Sequence, residues 1–332
     1  MARSKPILVV TGATGFVGRH FVERIAQEQK FRIRCLVRNS SNICALQSLG
    51  EDISFCYGDI TDEKTLPDAF KDAWGVVNLA GYREFWNRDS NYFYQVNERG
   101  AMNVFRASLD AGVKKVLHVS TPLAYGVPDR IPFNEQSTPG QHPSDYARSK
   151  YLGDQAGWRL HDKEQLPLTI VHLAAVIGAG DDKETMEVRR AVEGKLPALV
   201  GANTTYTYVY VKDAAEAIAR ALLKNDSIGR SYLIGNQRAT TRDYFTIIGR
   251  LAGVSVPRWN IPESFLQPLA VGMDMVSRRT GKRPMLPLDV LKTTAAGSLL
   301  FDPGRGIEEL GMAYTPLETA LAEAIAEIRA LP

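Results

Sequence analysis

A chain of 332 residues with 45% hydrophobic, 23% charged and 9% aromatic residues has the composition of an ordinary globular protein, which excludes a disordered, collagen-like or fibrous chain. The length corresponds to about two domains, or to one large doubly wound domain carrying an elaboration. Forty Lys and Arg against thirty-seven Asp and Glu leave a formal charge of +3, too little over this length to predict a nucleic-acid surface, so any ligand has to be argued from a site.

Residues 6–11 form an apolar run in which Ile7-Leu8-Val9-Val10 ends at Thr11-Gly12 without a small-residue cleavage site. The segment reads as a first strand and not as a signal peptide. In 15–29, Val17, Phe21, Val22 and Ile25 fall on one apolar stripe of a helix. A strand at 31–37 completes a βαβ unit. Further strands are predicted at 53–57, 75–80, 115–120 and 168–173, separated by helices at 62–71, 90–111 and 144–162. Such alternation predicts an α/β fold with a parallel sheet covered on both faces, because each crossover between parallel strands carries a helix.

After about residue 175 the rhythm loosens, with Pro197, Pro257, Pro262, Pro268, Pro284 and Pro287 dividing the chain, which predicts a smaller, partly discontinuous substrate lobe. The expected division is a nucleotide-binding domain at 1–175, with segments near 205–235 returning to its sheet, and a lobe drawn mostly from 176–332. Tyr206, Tyr208 and Tyr210 share one side of a strand, and 212–223 is an amphipathic helix. Arg278, Arg279, Lys282 and Arg283 form a basic cluster open to three readings: an anionic substrate, a membrane surface or a solvated loop. No stretch reaches the roughly 18 apolar residues of a membrane span, and the default localisation is cytoplasmic. Cys35, Cys44 and Cys56 lack metal-ligand spacing and are expected to be reduced and mostly packed in the core. His20, His118, His142, His161 and His172 are scattered along the sequence, and no metal site is expected.

Between the first strand and the first helix stands Thr11-Gly12-Ala13-Thr14-Gly15-Phe16-Val17-Gly18. Gly12 permits a tight turn, Gly15 lets backbone N–H groups approach a pyrophosphate at the positive end of the helix, and Gly18 allows close helix-to-strand packing. Twenty residues after Gly18, where an NAD-preferring site usually places an acidic residue, stands Arg38. A guanidinium there pairs with a 2′-phosphate, so NADP is the preferred cofactor, with NAD as the alternative and a plain surface arginine as the other reading. Asp59, after the third strand, is either an acceptor for the adenine amino group or an ordinary Asp turn.

Tyr146 and Lys150 lie at i, i+4 near the start of a predicted helix, which puts phenol and ammonium on one face. An unperturbed tyrosine has a pKa near 10, and a neighbouring cation favours its phenolate, which makes it a usable base or acid near neutral pH. Lys150 is also suited to holding the ribose hydroxyls of a nicotinamide nucleotide.

At this point the chain resembles the extended short-chain dehydrogenase/reductase family, near its dihydroflavonol-reductase and 3β-hydroxysteroid-dehydrogenase kinds. The resemblance rests on TGATGFVG at 11–18, GDITD at 58–62, VNLAG at 77–81, VNERGAMNV at 96–104, VSTPLAYG at 119–126 and YARSK at 146–150. VIGAGD at 176–181, YVYVKDAAEAIARAL at 208–222 and LGMAYTPLETALAEAI at 310–325 extend it over nearly the whole chain. It implies a Rossmann-type doubly wound sheet with a small C-terminal substrate lobe, a nicotinamide cofactor, and a Thr121, Tyr146 and Lys150 catalytic set, with Thr121 preferred over Ser120 because it lies four residues before Tyr125. The matching segments also imply cofactor contacts from Gly12, Thr14, Gly15, Phe16, Val17 and Gly18, from Arg38, Asp59 and Ile60, and from Leu79, Ala80 and Gly81. Asn97, Ser120, Tyr146, Lys150, Leu173 and Val176 complete that set, and a homodimer is in keeping with the family.

Where the family's dehydratases carry an acidic pair, this chain has Pro122-Leu123, which argues against that activity. His172-Leu173-Ala174-Ala175 stands where many members have an Arg-Pro-x-Asn stretch, which weakens the case for a sugar nucleotide. Tyr82, Arg83 and Trp86 follow the carboxyl end of a parallel strand and, with Thr121 and Leu123, are the expected substrate contacts; a packed loop is the competing reading. The resulting expectation is an NADP(H)-dependent oxidoreductase acting on a secondary alcohol or ketone, a small-molecule substrate of unassigned identity. An NAD-dependent nucleotide-sugar 4-epimerase is the alternative, and a non-catalytic nicotinamide redox sensor the third reading.

Overall fold

The computed structural model describes residues 5–181, 184–257, 259–295 and 300–330. The ends of the two expected domains, 1–4 and 331–332, and the positions 182–183, 258 and 296–299 lie outside the described residues. The strands in chain order are β1 (Ile7–Thr11), β2 (Arg32–Val37), β3 (Ile53–Tyr57), β4 (Ala73–Asn78), β5 (Lys115–Ser120), β6 (Leu168–Leu173), β7 (Ala175–Ile177), β8 (Leu199–Val200), β9 (Thr205–Tyr210), β10 (Arg230–Ile234), β11 (Gln237–Thr240) and β12 (Asn260–Ile261). Seven of them form one sheet in the order β10-β6-β5-β4-β1-β2-β3, every pair parallel. The Rossmann-type architecture is thus as expected. The last strand of this sheet comes from 230–234, after the chain has left for β7 and β9 and come back.

A strand buried on both faces has apolar residues at odd and even positions alike, which is why β1 reads as a continuous run. Leu8 and Val10 face Phe21, Val22 and Ile25 of the Phe16–Ala26 helix and Ala214, Ile218 and Leu222 of the Val211–Leu223 helix. Val9 faces the other way, with Val76, Val116 and Ile170, toward Leu66, Phe70, Phe105 and Leu160. A separate core gathers Ile177, Val188, Tyr208, Phe245, Ile248, Leu321 and Ile325 around the small sheet β11-β9-β7. There Tyr208 stacks on Tyr244 with centroids 4.9 Å apart, and Tyr210 hydrogen-bonds Glu323 at 2.5 Å.

Two elements depart from expectation in ways that shape the site. The helix expected at 90–111 is continuous but changes pitch: Gln95–Gly100 is a π-helical segment between α-helical Asn91–Tyr94 and Ala101–Asp110. The strand expected at 75–80 runs instead from Ala73 to Asn78, and Leu79 and Ala80 leave it to hydrogen-bond Thr11, through its carbonyl and its hydroxyl, both at 3.2 Å. The cysteines are less uniformly packed than expected, because only Cys35 is buried, its thiol pushed up to about 12, while Cys44 is exposed and Cys56 half-buried.

Candidate active site

The order of the sheet reverses between β1 and β4, and a crevice opens at their carboxyl ends, the place where open parallel sheets bind ligands. Gly12 follows β1 with φ of +69°, and a Cβ there would stand 2.6 Å from the Ala80 nitrogen and the Leu79 carbonyl carbon. A Cβ on Gly18 would stand 2.1 Å from the Gly12 oxygen, so the loop, the first helix and the end of β4 meet with no room for side chains. Gly15 is the N-cap of that helix; no side chain caps it, and its first turn carries no acidic residue. Its first N–H groups have no carbonyl one turn earlier and remain available to an anion at the positive end of the helix. A dinucleotide pyrophosphate fits this cradle, with Thr14, Phe16 and Val17 on its rim.

Arg38 is exposed immediately after β2, its backbone N–H bonded to Ser41 Oγ at 3.1 Å; among the described residues its guanidinium has no ion pair. Asp59 closes a local turn, accepting from the Thr61 N–H at 2.9 Å and hydroxyl at 2.8 Å through Oδ1. Ile60 is buried below it against Gly100, where a Cβ would stand 2.8 Å from its Cδ1.

Ser144 caps the Asp145–Glu164 helix by accepting from the Ala147 N–H at 3.2 Å, which fixes where the helix starts and puts Tyr146 in its first turn. One turn on, Lys150 is 6% exposed and donates from Nζ to the Val119 carbonyl at 2.9 Å. Burial pushes its ammonium down, and the negative charge of Asp154 opposes this. A Cβ on Gly81 would lie 3.9 Å from Nζ, so the end of β4 borders the lysine. Phe85 meets the Tyr146 ring edge-on with centroids 5.6 Å apart. Thr121, in extended conformation, caps the Pro122–Tyr125 turn, which carries Leu123 and packs against the same helix.

Asn97, turned inward by the π-helical segment, is a strut. It accepts from the Tyr82 N–H at 2.8 Å and donates to the Tyr82 carbonyl at 2.9 Å and to Ser149 Oγ at 3.0 Å; Ser149 in turn donates to the Tyr146 carbonyl.

Behind Lys150 lies a polar network that the sequence reading missed. His118 and Ser120 share one face of β5, His172 pairs in register with Ser120 from β6, and Asp154 descends onto all three from the helix. Ser120 donates to Asp154 Oδ2 at 2.8 Å and His172 Nε2 does so at 3.1 Å, while His118 Nε2 stands 3.4 Å from Oδ1. The chain continues outward: Asn78 donates to His118 Nδ1 at 3.1 Å, and Thr11 donates to Asn78 Oδ1 at 2.6 Å. The imidazoles hold the Asp154 carboxyl well below the usual carboxylate range against the opposing effect of burial. Burial, with help from the Lys150 charge, lowers His118 to about 4, so it is neutral at physiological pH. The available signal was spacing: Asp154 lies four residues after Lys150, and His118 lies two before Ser120.

The three expected substrate contacts on the loop after β4 are tied down. Tyr82 donates to the Trp86 carbonyl at 3.1 Å, Trp86 Nε1 donates to Asp274 at 2.9 Å, and Arg83 pairs with buried Asp181 at 2.7 Å. Asp181 belongs to the loop after β7, so this pair bridges from the nucleotide side to the lobe. A pocket of about 50 Å³ beside the helix start is bordered by Phe85, Trp86, Asp145, Asp274 and Asp289. Leu173 ends β6 and Val176 lies in β7, on the segment joining the two sheets.

The family model for the NAD dependent epimerase/dehydratase family matches residues 8–235, a span that holds the cradle, the Tyr146 helix and β10. The chain belongs to that family. It is accordingly an NAD(P)-dependent enzyme, of a family that includes oxidoreductases, epimerases and dehydratases. A Synechocystis sp. protein carrying the name dihydroflavonol 4-reductase is 27% identical over 95% of this chain and 92% of its own length. Sterol demethylase protein B of Methylococcus capsulatus is 26% identical over 97% of this chain and 98% of its own. The crystal structure of gox2253 superposes with a TM-score of 0.83 at 30% identity, covering 98% of each chain. Among the described residues, no helix is long and apolar enough to cross a membrane.

Proposed function

We propose that this family member is an NADP(H)-dependent oxidoreductase that interconverts a secondary alcohol and a ketone. The observation that carries the cofactor preference is Arg38, exposed at the carboxyl end of β2 with no carboxylate paired to it among the described residues. A 2′-phosphate finds a cation there, whereas the acidic residue that usually accepts from an adenosine ribose diol does not stand at this position. Supporting the choice of reaction, the relatives spanning most of this chain include one named as a reductase, and Pro122-Leu123 supplies no acid or base for elimination.

Bound nicotinamide supplies the hydride donor or acceptor. In the direction of reduction, Tyr146 gives the phenolic proton to the substrate oxygen, and Thr121 donates a hydrogen bond to the same atom. Lys150, anchored on the Val119 carbonyl, places a positive charge on the face of the helix that carries Tyr146 and favours the phenolate left behind. Asn97 holds the Tyr82 segment and, through Ser149, the first turn of the helix in fixed relation. Tyr82, Arg83, Trp86 and Leu123 form the substrate wall, and the working unit is a homodimer, which light scattering tests.

The deciding experiment identifies any nucleotide retained by the purified protein and then titrates the emptied protein with NADPH and NADH. Exchangeable binding that favours NADPH, with the preference lost in Arg38→Asp, is the expected result. Tightly retained NAD overturns the reading and favours a 4-epimerase, whose cofactor must stay in place through oxidation and re-reduction of one substrate.

A further inference from the structure

The Glu263–Thr280 helix has two faces that do not match a helix bordering water. Its inner face buries Ala270 and Ser277, and Asp274 between them holds the Trp86 indole at 2.9 Å. On the opposite side, Phe265, Leu269 and Val276 are 76%, 57% and 60% exposed, and Met275 beside them is 58% exposed. Trp259 just before the helix and Met285 just after it are 80% and 82% exposed. A helix lying between a protein core and water normally carries charged residues on that outward face. Among the described outward residues, charge gathers at the C-terminal end, in Arg278, Arg279, Lys282 and Arg283. Arg278 is paired with Asp274 at 2.7 Å and Arg283 with Glu84 at 3.0 Å; among the described residues Arg279 and Lys282 have no ion pair.

We propose that this outer face docks on the surface of an anionic lipid bilayer. The aromatic and aliphatic side chains enter the boundary between headgroups and acyl chains, and the basic end meets the lipid phosphates. A second copy of the chain matches the surface less well. In a two-fold contact the patch faces itself, and its described outward residues include no acid to receive the cations. A bilayer answers both the apolar stripe and the charge. Because Asp274 ties Trp86 to the inner face, docking would set the substrate loop about one helix diameter, roughly 10 Å, from the lipid.

The test is co-sedimentation with vesicles of phosphatidylcholine and phosphatidylglycerol at about three to one, against pure phosphatidylcholine vesicles. The wild-type chain is expected to partition roughly tenfold more strongly onto the anionic vesicles, with the excess falling as salt is raised. Phe265→Ser combined with Val276→Ser, and separately Arg279→Glu combined with Lys282→Glu, should each lower that partition about tenfold with an unchanged melting temperature. The proposal is overturned if the wild type stays in solution, or if both variants sediment as the wild type does. It is equally overturned if, without lipid, light scattering shows the serine pair splitting a dimer.

Discussion

His172 donates from Nε2 to Asp154 Oδ2 at 3.1 Å, and Asp154 lies one helical turn beyond Lys150. The carboxylate is charged and buried, its Oδ2 bonded by Ser120 and His172 and its Oδ1 facing His118 Nε2 at 3.4 Å, and its charge is what offsets burial at the Lys150 ammonium. On the proposed mechanism, Asp154 acts as a positioning residue, through the lysine. Asp154→Asn should destabilise the fold by about 3 kcal/mol, the usual cost of breaking a buried charged contact, read as a lower denaturant midpoint. It should also move the alkaline limb of the kcat/KM profile to lower pH, because Lys150 without its neighbouring anion loses its proton more readily. A purely structural role would leave that limb in place.

Acid stability follows from His118. Its value in the fold, about 4, lies below the 6.5 of an unperturbed histidine, so between these pH values the unfolded chain binds the extra proton and the folded chain does not. Stability from this group is complete above pH 6.5 and is lost on acidification toward pH 4, on the order of 3 kcal/mol in all. Melting temperatures measured across this window should fall steadily, and His118→Gln should flatten the slope.

Two glycines with nearly the same backbone separate strain from crowding. Gly12 and Gly253 have φ of +69° and +67°, but a Cβ on Gly253 meets nothing within 4 Å. Gly253→Ala should cost about 1 kcal/mol, for the left-handed backbone alone. Gly12→Ala adds the collision with Leu79 and Ala80 and should cost roughly 3 kcal/mol or more, with cofactor affinity reduced in parallel. Comparable losses at the two sites would refute the tight approach between β1 and β4.

Removing the Tyr146 hydroxyl tests the proton donor. Tyr146→Phe should lower kcat by about 10³-fold while changing the dissociation constant of the cofactor less than threefold, roughly the range expected for a general acid. Residual turnover within tenfold of wild type would assign the proton to another group.

The parts of this fold legible in the sequence are those whose burial follows a simple rule. Strands β1, β4, β5 and β6 lie inside the sheet, so their runs are apolar on both faces, while β3 at the edge stays legible through its apolar Ile53 and Phe55; the glycines at 12 and 18 stand where backbone meets backbone. The C-terminal lobe is built from two- to six-residue strands, most of them too short to show an alternation, and although its helices Thr241–Ala252 and Leu317–Ala330 do bury regular apolar stripes, the prolines between elements obscure how they join. Asp154 escaped for a different reason. A carboxylate on a helix reads as a solvated residue until His118 and His172, 36 and 18 residues away, are brought to it by strand pairing. The pitch change at Gln95–Gly100 has no compositional mark at all, yet it decides where Asn97 points.

β10 is also an edge that the chain supplies to itself late. Without Arg230–Ile234, the row of peptide groups along β6 that now pairs with β10 would be open to any passing strand, a site for aggregation in the middle of a nucleotide-binding fold. A fragment ending near residue 175 should inherit that exposed row, because the strand that covers β6 comes from 230–234. Variation that reshapes the segments between β6 and β10 must therefore leave the returning strand intact.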